Sequence, residues 1–159
     1  MHINEAIKAQ IEIINSTWVK PTLSTTDSEA QVLAKKLEQA HALFGFLAEK
    51  VELLQADNEQ EKLSEYGDVF YYLIASLLAF DYEFIEFLPG DDFILKTNLL
   101  SFAQKYFRGK EDYKQSITAA LEHELYLFSV NFYGVDLQEM INTNRTKLMN
   151  RVQTSTIVR

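Results

Sequence analysis

The chain has 159 residues, 47% of them apolar, a net charge of −8 and no cysteine. That length and apolar content suit one packed domain and exclude a disordered chain. The missing Cys excludes disulfides and thiolate metal sites, in keeping with a reducing cytoplasm, and the acidic balance excludes a surface built as a whole for nucleic acid or anionic membrane.

The opening residues, Met1-His2-Ile3-Asn4-Glu5, do not read as a signal peptide. The spacing of Ile7, Ile11 and Ile14 predicts a first helix over about 4–16. Residues 19–26, with Pro21 and several Ser/Thr, read as a loop. Thr26-Asp27-Ser28-Glu29 has the spacing of a capping box and starts a second helix that continues to about Gln55. Asp57-Asn58 marks a turn and cap, and a third helix follows over about 59–86. Leu88-Pro89-Gly90-Asp91-Asp92 is a break. A fourth helix is expected over 92–107, ended by Arg108-Gly109-Lys110, and a fifth over 112–132. Tyr133-Gly134-Val135-Asp136 closes it and caps a sixth, which runs to about Arg151, with residues 152–159 as a tail. No stretch alternates convincingly as a strand, and the longest apolar run, about 69–80, falls well short of the roughly 20 residues of a membrane span. The fold class expected is all-α, one domain over 1–151.

Charge is unevenly spread. Residues 137–159 hold Arg145, Lys147, Arg151 and Arg159 against Glu139 alone, leaving 11 basic and 22 acidic residues on 1–136. A basic terminal segment on an acidic body suits either a phosphate-rich small molecule or a helix C-terminus whose dipole favours cations.

Four carboxylates carry the chemistry. Glu49 and Glu52, like Glu65 and Asp68, are spaced i, i+3, so each pair leaves one face of its helix. Glu49 with Asp68, and Glu52 with Glu65, are equidistant from a pivot between Asn58 and Glu59, inside the expected turn. An antiparallel hairpin therefore brings all four to one level. Clustered carboxylates repel unless a cation neutralises them. All-oxygen ligation selects Mg²⁺ or Mn²⁺, ions that bind substrate phosphates and serve phosphoryl-group hydrolysis.

Their neighbours extend the pattern. Glu38, His41, Gly45, Glu49 and Glu52 fall on one stripe of the second helix. Gly45 there either leaves room for a ligand or permits close helix packing. Tyr72 lies one turn beyond Asp68, on the stripe of Glu61 and Glu65, and reads as a border of a nucleotide site or as core. On the sixth helix Asn144, Lys147 and Arg151 share an edge beside Leu137, Ile141 and Leu148, as a phosphate clamp or a solvated edge. Trp18, Phe44, Tyr71 and Tyr72 are candidate stacking residues or core.

At these positions the chain resembles the MazG-like all-α NTP pyrophosphohydrolases. Their E-x-x-E, spacer, E-x-x-D signature is similar to Glu49-Lys50-Val51-Glu52, twelve residues, then Glu65-Tyr66-Gly67-Asp68. Their closing segment is similar to Gly134-Val135-Asp136-Leu137 through Asn144, Lys147-Leu148 and Arg151. The resemblance covers about 4–80 and 133–151. It implies a helical bundle whose antiparallel hairpin carries the acidic site. It further implies magnesium held by Glu49, Glu52, Glu65 and Asp68, and Asn144, Lys147 and Arg151 near the phosphates. The implied reaction splits a nucleoside triphosphate into monophosphate and pyrophosphate, in a homodimer or homotetramer.

The chain departs from that pattern at Val51, where many members have Gly, and at Lys50, which places a cation beside the acids. Residues 81–132 also form a longer connection than the family's, an extra helical insertion. Two other readings stand beside the enzyme. One is a family member without turnover, acting as a nucleotide-binding or interaction module. The other is a di-iron bundle, suggested by Glu38-x-x-His41 but lacking a second such motif.

Overall fold

The computed structural model describes residues 1–20, 27–84 and 98–154. Among the described residues six helices follow in order: α1 (Ile3–Thr17), α2 (Ser28–Gln55), α3 (Glu59–Ala79), α4 (Leu99–Phe107), α5 (Tyr113–Ser129) and α6 (Leu137–Gln153). No strand occurs among the described residues, and no described helix is long and apolar enough to cross a membrane. The expected break at 88–92, the start of the fourth helix and residues 21–26 of the loop lie outside the described residues.

The starts follow the caps legible in the sequence. Asp27 accepts from the backbone N–H of Glu29 at 2.8 Å, Asn58 from Glu61 at 2.9 Å, and Asp136 from Glu139 at 3.0 Å. Each satisfies donors the helix leaves orphaned. At the α2–α3 turn Glu61 reaches back to accept from the N–H of Asp57 at 3.0 Å. This fixes the pivot of the hairpin.

The ends differ from expectation. Helix α3 stops at Ala79, seven residues early, because Asp81 adopts a left-handed conformation (φ 59°). The N–H of Tyr82 bonds the carbonyl of Leu77 at 2.9 Å and that of Asp81 bonds Leu78 at 3.0 Å, closing a Schellman motif. Asp tolerates this backbone better than most residues, and its carboxylate is held by Lys35 at 3.0 Å and Lys114 at 3.3 Å. The same closure ends α5 at Ser129, with Asn131 (φ 56°) in the left-handed position. A left-handed Asp or Asn gives a weaker stop signal in sequence than Gly. Helix α6 runs two residues beyond its expected end, to Gln153.

Helix α3 is the centre. It packs against α2, α6, α1 and α5, while α4 packs on α5. It is buried on every side from Val69 to Ala79 apart from Tyr72 and Leu78, as an all-round apolar helix must be. Ile117, Leu121, Leu125 and Phe128 of α5 and Tyr106 of α4 join the same core as Phe46, Phe70 and Ile141.

Two glycines set the close approaches. At Gly67 an added Cβ would lie 3.0 Å from the Cβ of Asn144, so α6 is seated directly on α3 there. At Gly45 it would lie 2.3 Å from the Tyr72 ring. The small residue in α2 therefore makes room for a tyrosine of α3. Gly45→Ala is expected to lower stability by about 1–3 kcal/mol despite better helix propensity, because the ring must move. Urea unfolding checks this, and an increase in stability would contradict it.

Candidate functional site

The hairpin delivers the acidic residues as its geometry requires. Glu49 of α2 and Glu65 and Asp68 of α3 each offer a carboxylate oxygen within 4.8 Å of the others. Glu52 stands one turn toward the hairpin tip, exposed, within hydrogen-bonding reach of Glu49 and outside that trio. The structure thus brings three of the four acids together and leaves the fourth at the solvent margin.

Helix α6 supplies the other side. Lys147 donates to Asp68 Oδ2 and, at 3.0 Å, to Ser64 Oγ. Asn144, 1% exposed, donates its amide to Asp68 Oδ1 at 3.2 Å. Its own carbonyl accepts from Gln10 of α1 at 3.0 Å. A chain of hydrogen bonds therefore runs from buried Gln10 through Asn144 to Asp68 and fixes that carboxylate in one orientation. Arg151, a turn beyond Lys147, acts on Asp68 through its charge.

The electrostatics are unfavourable without a counter-charge. Burial, with the neighbouring acids Glu52, Asp68 and Glu65, pushes the Glu49 carboxyl up to about 9. Burial also raises Glu65 and Asp68, even with Lys147 opposing. Glu49 Oε2 and Glu65 Oε2 are buried with no donor reaching them. Unsatisfied buried carboxylate oxygens cost free energy, and a hard divalent cation is the partner that hard oxygens at this separation suit. The residues present therefore fit such an ion. His41 does not join them, and among the described residues the grouped ligand atoms come from carboxylates alone, which leaves the di-iron pattern without its histidines.

An aromatic wall borders the acids. His41 stacks on Trp18 with centroids 4.8 Å apart and planes 23° apart. Tyr72 meets Trp18 edge-on at 6.1 Å. Burial, then the charges of Glu49 and Asp68, raises the Tyr72 hydroxyl, which places that ring beside the site. His41 and Trp18 keep part of their surface open.

Lys50 does not sit among the acids. Its ammonium reaches Glu124 Oε1 of α5 at 2.6 Å, and the other oxygen of Glu124 accepts from Tyr133 at 2.9 Å. The expected cation beside the site is thus drawn to the opposite flank of α2 by the longer connecting region. Val51 is exposed and makes no part of the cluster.

Gln10 and Ser64 had no place in the sequence-based site. Gln10 has a readable signal: it interrupts Ile3, Ile7 and Ile14 at the position where the apolar spacing calls for another hydrophobe. Comparison of the chain with protein-family models, with curated proteins and with solved structures finds no match.

Proposed function

We propose that this chain is a Mg²⁺-dependent nucleoside triphosphate pyrophosphohydrolase of the MazG-like kind, cleaving between the α and β phosphates. One observation carries the reading most: three convergent carboxylates, two of which (Glu49 and Glu65) keep an unpartnered buried oxygen, faced by Lys147, Asn144 and Arg151. Lys147 and Arg151 offset part of the repulsion at Asp68, and an added cation stabilises the rest at Glu49 and Glu65, beside positive charges that suit a polyphosphate.

In this reading Glu49, Glu65 and Asp68 hold Mg²⁺ or Mn²⁺, with Glu52 completing the set at its open edge. The bound ion supplies charge neutralisation of the phosphates and a more acidic water. Asn144 and Lys147 keep Asp68 aimed, and Gln10 keeps Asn144 aimed. Arg151 lies on the exposed side of α6, where it pairs with phosphate oxygens. Glu52, the acid left at solvent, takes the proton released by the attacking water. Trp18, His41 and Tyr72 offer ring faces to a base.

The test is pyrophosphate release from a panel of canonical and modified nucleoside triphosphates, with Mg²⁺, Mn²⁺ or chelator. Expected is metal-dependent release of equimolar monophosphate and pyrophosphate. Nucleotide binding without release under every metal condition would reject the enzyme in favour of a binding module.

A further inference from the structure

Lys147 holds a position that a metal ion at this site would contest. Its ammonium donates to Asp68 Oδ2 and, at 3.0 Å, to Ser64 Oγ, and so bridges one turn of α3 on the face that carries the acids. The side chains of Lys147 and Asp68 are 22% and 13% exposed, so the pair is shielded and outweighs an ordinary surface ion pair. The same ammonium acts through its charge on Glu65. Asp68 Oδ1 is taken by Asn144 at 3.2 Å. Both oxygens of one converging acid thus have donors, whereas Glu49 Oε2 and Glu65 Oε2 have none. The lysines nearest the hairpin turn, Lys50 and Lys62, are held by Glu124 and Glu59.

We propose that Lys147 is a stand-in cation, held on Asp68 until a metal–nucleoside triphosphate complex displaces it, so that the site takes its ion with the nucleotide and takes the bare ion poorly. This rests on the metal-dependent reading above. A divalent ion bound by Glu49, Glu65 and Asp68 adds a double positive charge to the carboxylate that Lys147 already holds. Like charges at that range repel strongly in a partly buried site. Lys147 must then give up Asp68. Ser64 is a poor sole partner, since a neutral hydroxyl makes the weaker hydrogen bond with an ammonium. A bare ion brings no anion to receive Lys147 and meets the whole penalty of parting the pair.

A polyphosphate removes that penalty, because its oxygens accept the ammonium in charge-assisted hydrogen bonds as it leaves Asp68. The side chain suits the exchange: a compact charge on a flexible stem changes partners without moving α6. The helix itself is fixed, seated on α3 where an added Cβ at Gly67 would lie 3.0 Å from Asn144, one turn from Lys147. Lys147 thus aims Asp68 before the ion comes, and Asn144, on the other oxygen, keeps it aimed afterwards. The coupling is reciprocal: nucleotide tightens metal binding by the factor by which metal tightens nucleotide binding.

Isothermal titration tests this without turnover: Mn²⁺ into the full chain, and a non-hydrolysable triphosphate analogue into the chain with and without Mn²⁺. The wild type is expected to bind the analogue at least about 10-fold more tightly with the metal. Lys147→Met, which keeps the stem and drops the charge, is expected to bind Mn²⁺ alone at least about 10-fold more tightly than the wild type and to lose most of the coupling. Lys147→Gln is expected to behave likewise, and stands in should the Met variant not fold. Lys147→Arg, which keeps the charge, is expected to show no such gain. Uncharged variants that bind Mn²⁺ alone no better than the wild type, or an equal gain in Lys147→Arg, would overturn the proposal and leave the metal-dependent reading standing. A wild type that binds no Mn²⁺ and takes the analogue identically with and without it would remove that reading, and the proposal with it.

Discussion

Glu49→Gln and Asp68→Asn are each expected to lower kcat/KM for Mg²⁺-dependent pyrophosphate release at least about 100-fold, some 3 kcal/mol or more of transition-state stabilisation. Both substitutions keep the side-chain shape, so the loss reports charge and ligation. Asp68 is the residue on which the buried network converges, taking Asn144 and Lys147 at its two oxygens. Its amide variant also turns a hydrogen-bonded oxygen into a donor facing donors, so its loss should be the larger. Glu52→Gln, at the exposed margin and outside the trio, is expected to cost more in turnover than in Mg²⁺ affinity, since its proposed role is to take the water's proton. Steady-state release measured for all three, with isothermal titration of Mg²⁺ into each, separates metal binding from turnover. Full activity in either Glu49→Gln or Asp68→Asn would sink the assignment of the site.

Metal-free Glu49→Gln is expected to be more stable than the wild type at pH 8–9, by about 1 kcal/mol or more and a few °C in Tm, after discount for solvent screening. The Glu49 carboxyl titrates at about 9 in the fold against an ordinary 4.5. Between those values the folded chain holds a proton that the unfolded chain has lost. Raising pH through that window therefore costs the wild type stability, and below the window both states are protonated and the cost vanishes. Glu65 and Asp68 are raised as well and act in the same direction. The advantage of Glu49→Gln should accordingly shrink as pH falls toward 4.5. Adding Mg²⁺ should reverse the ranking, since ligation requires the deprotonated carboxylate and so strengthens with pH. Thermal melts across pH 5–9, with and without Mg²⁺, read both effects. A wild type that is the more stable at pH 9 without metal would show that the cluster carries no unpaired charge.

These two substitutions pull stability and activity apart. A cluster that costs free energy until a counter-charge binds is the arrangement expected of a site whose counter-charge comes from outside the chain.

The all-α fold and the hairpin with its acidic face were legible in the sequence for a local reason. Helix starts are set by a single side chain bonding N–H groups two or three residues away, so Asp27, Asn58 and Asp136 could be read as caps. The i, i+3 spacing of Glu49–Glu52 and Glu65–Asp68, with a pivot at a capped turn, put four acids at one level, and the structure groups three of them, Glu49, Glu65 and Asp68. Where the chain stops being helical was harder, because Asp81 and Asn131 occupy left-handed positions that sequence assigns most readily to Gly.

Only the tertiary structure decided the rest, through contacts between residues far apart in the chain. It turned Lys50 away from the acids, toward Glu124 of α5. It filled the space at Gly45 with Tyr72 rather than leaving it open. It left Glu52 at the exposed margin of the other three acids, in reach of Glu49 but outside the trio. It joined Gln10 to Asp68 through Asn144, a path crossing three helices. And among the described residues it left Leu33, Leu37, Phe44, Val51 and Leu54 of α2 exposed, since helical spacing shows that a face is apolar but not what, if anything, packs on it.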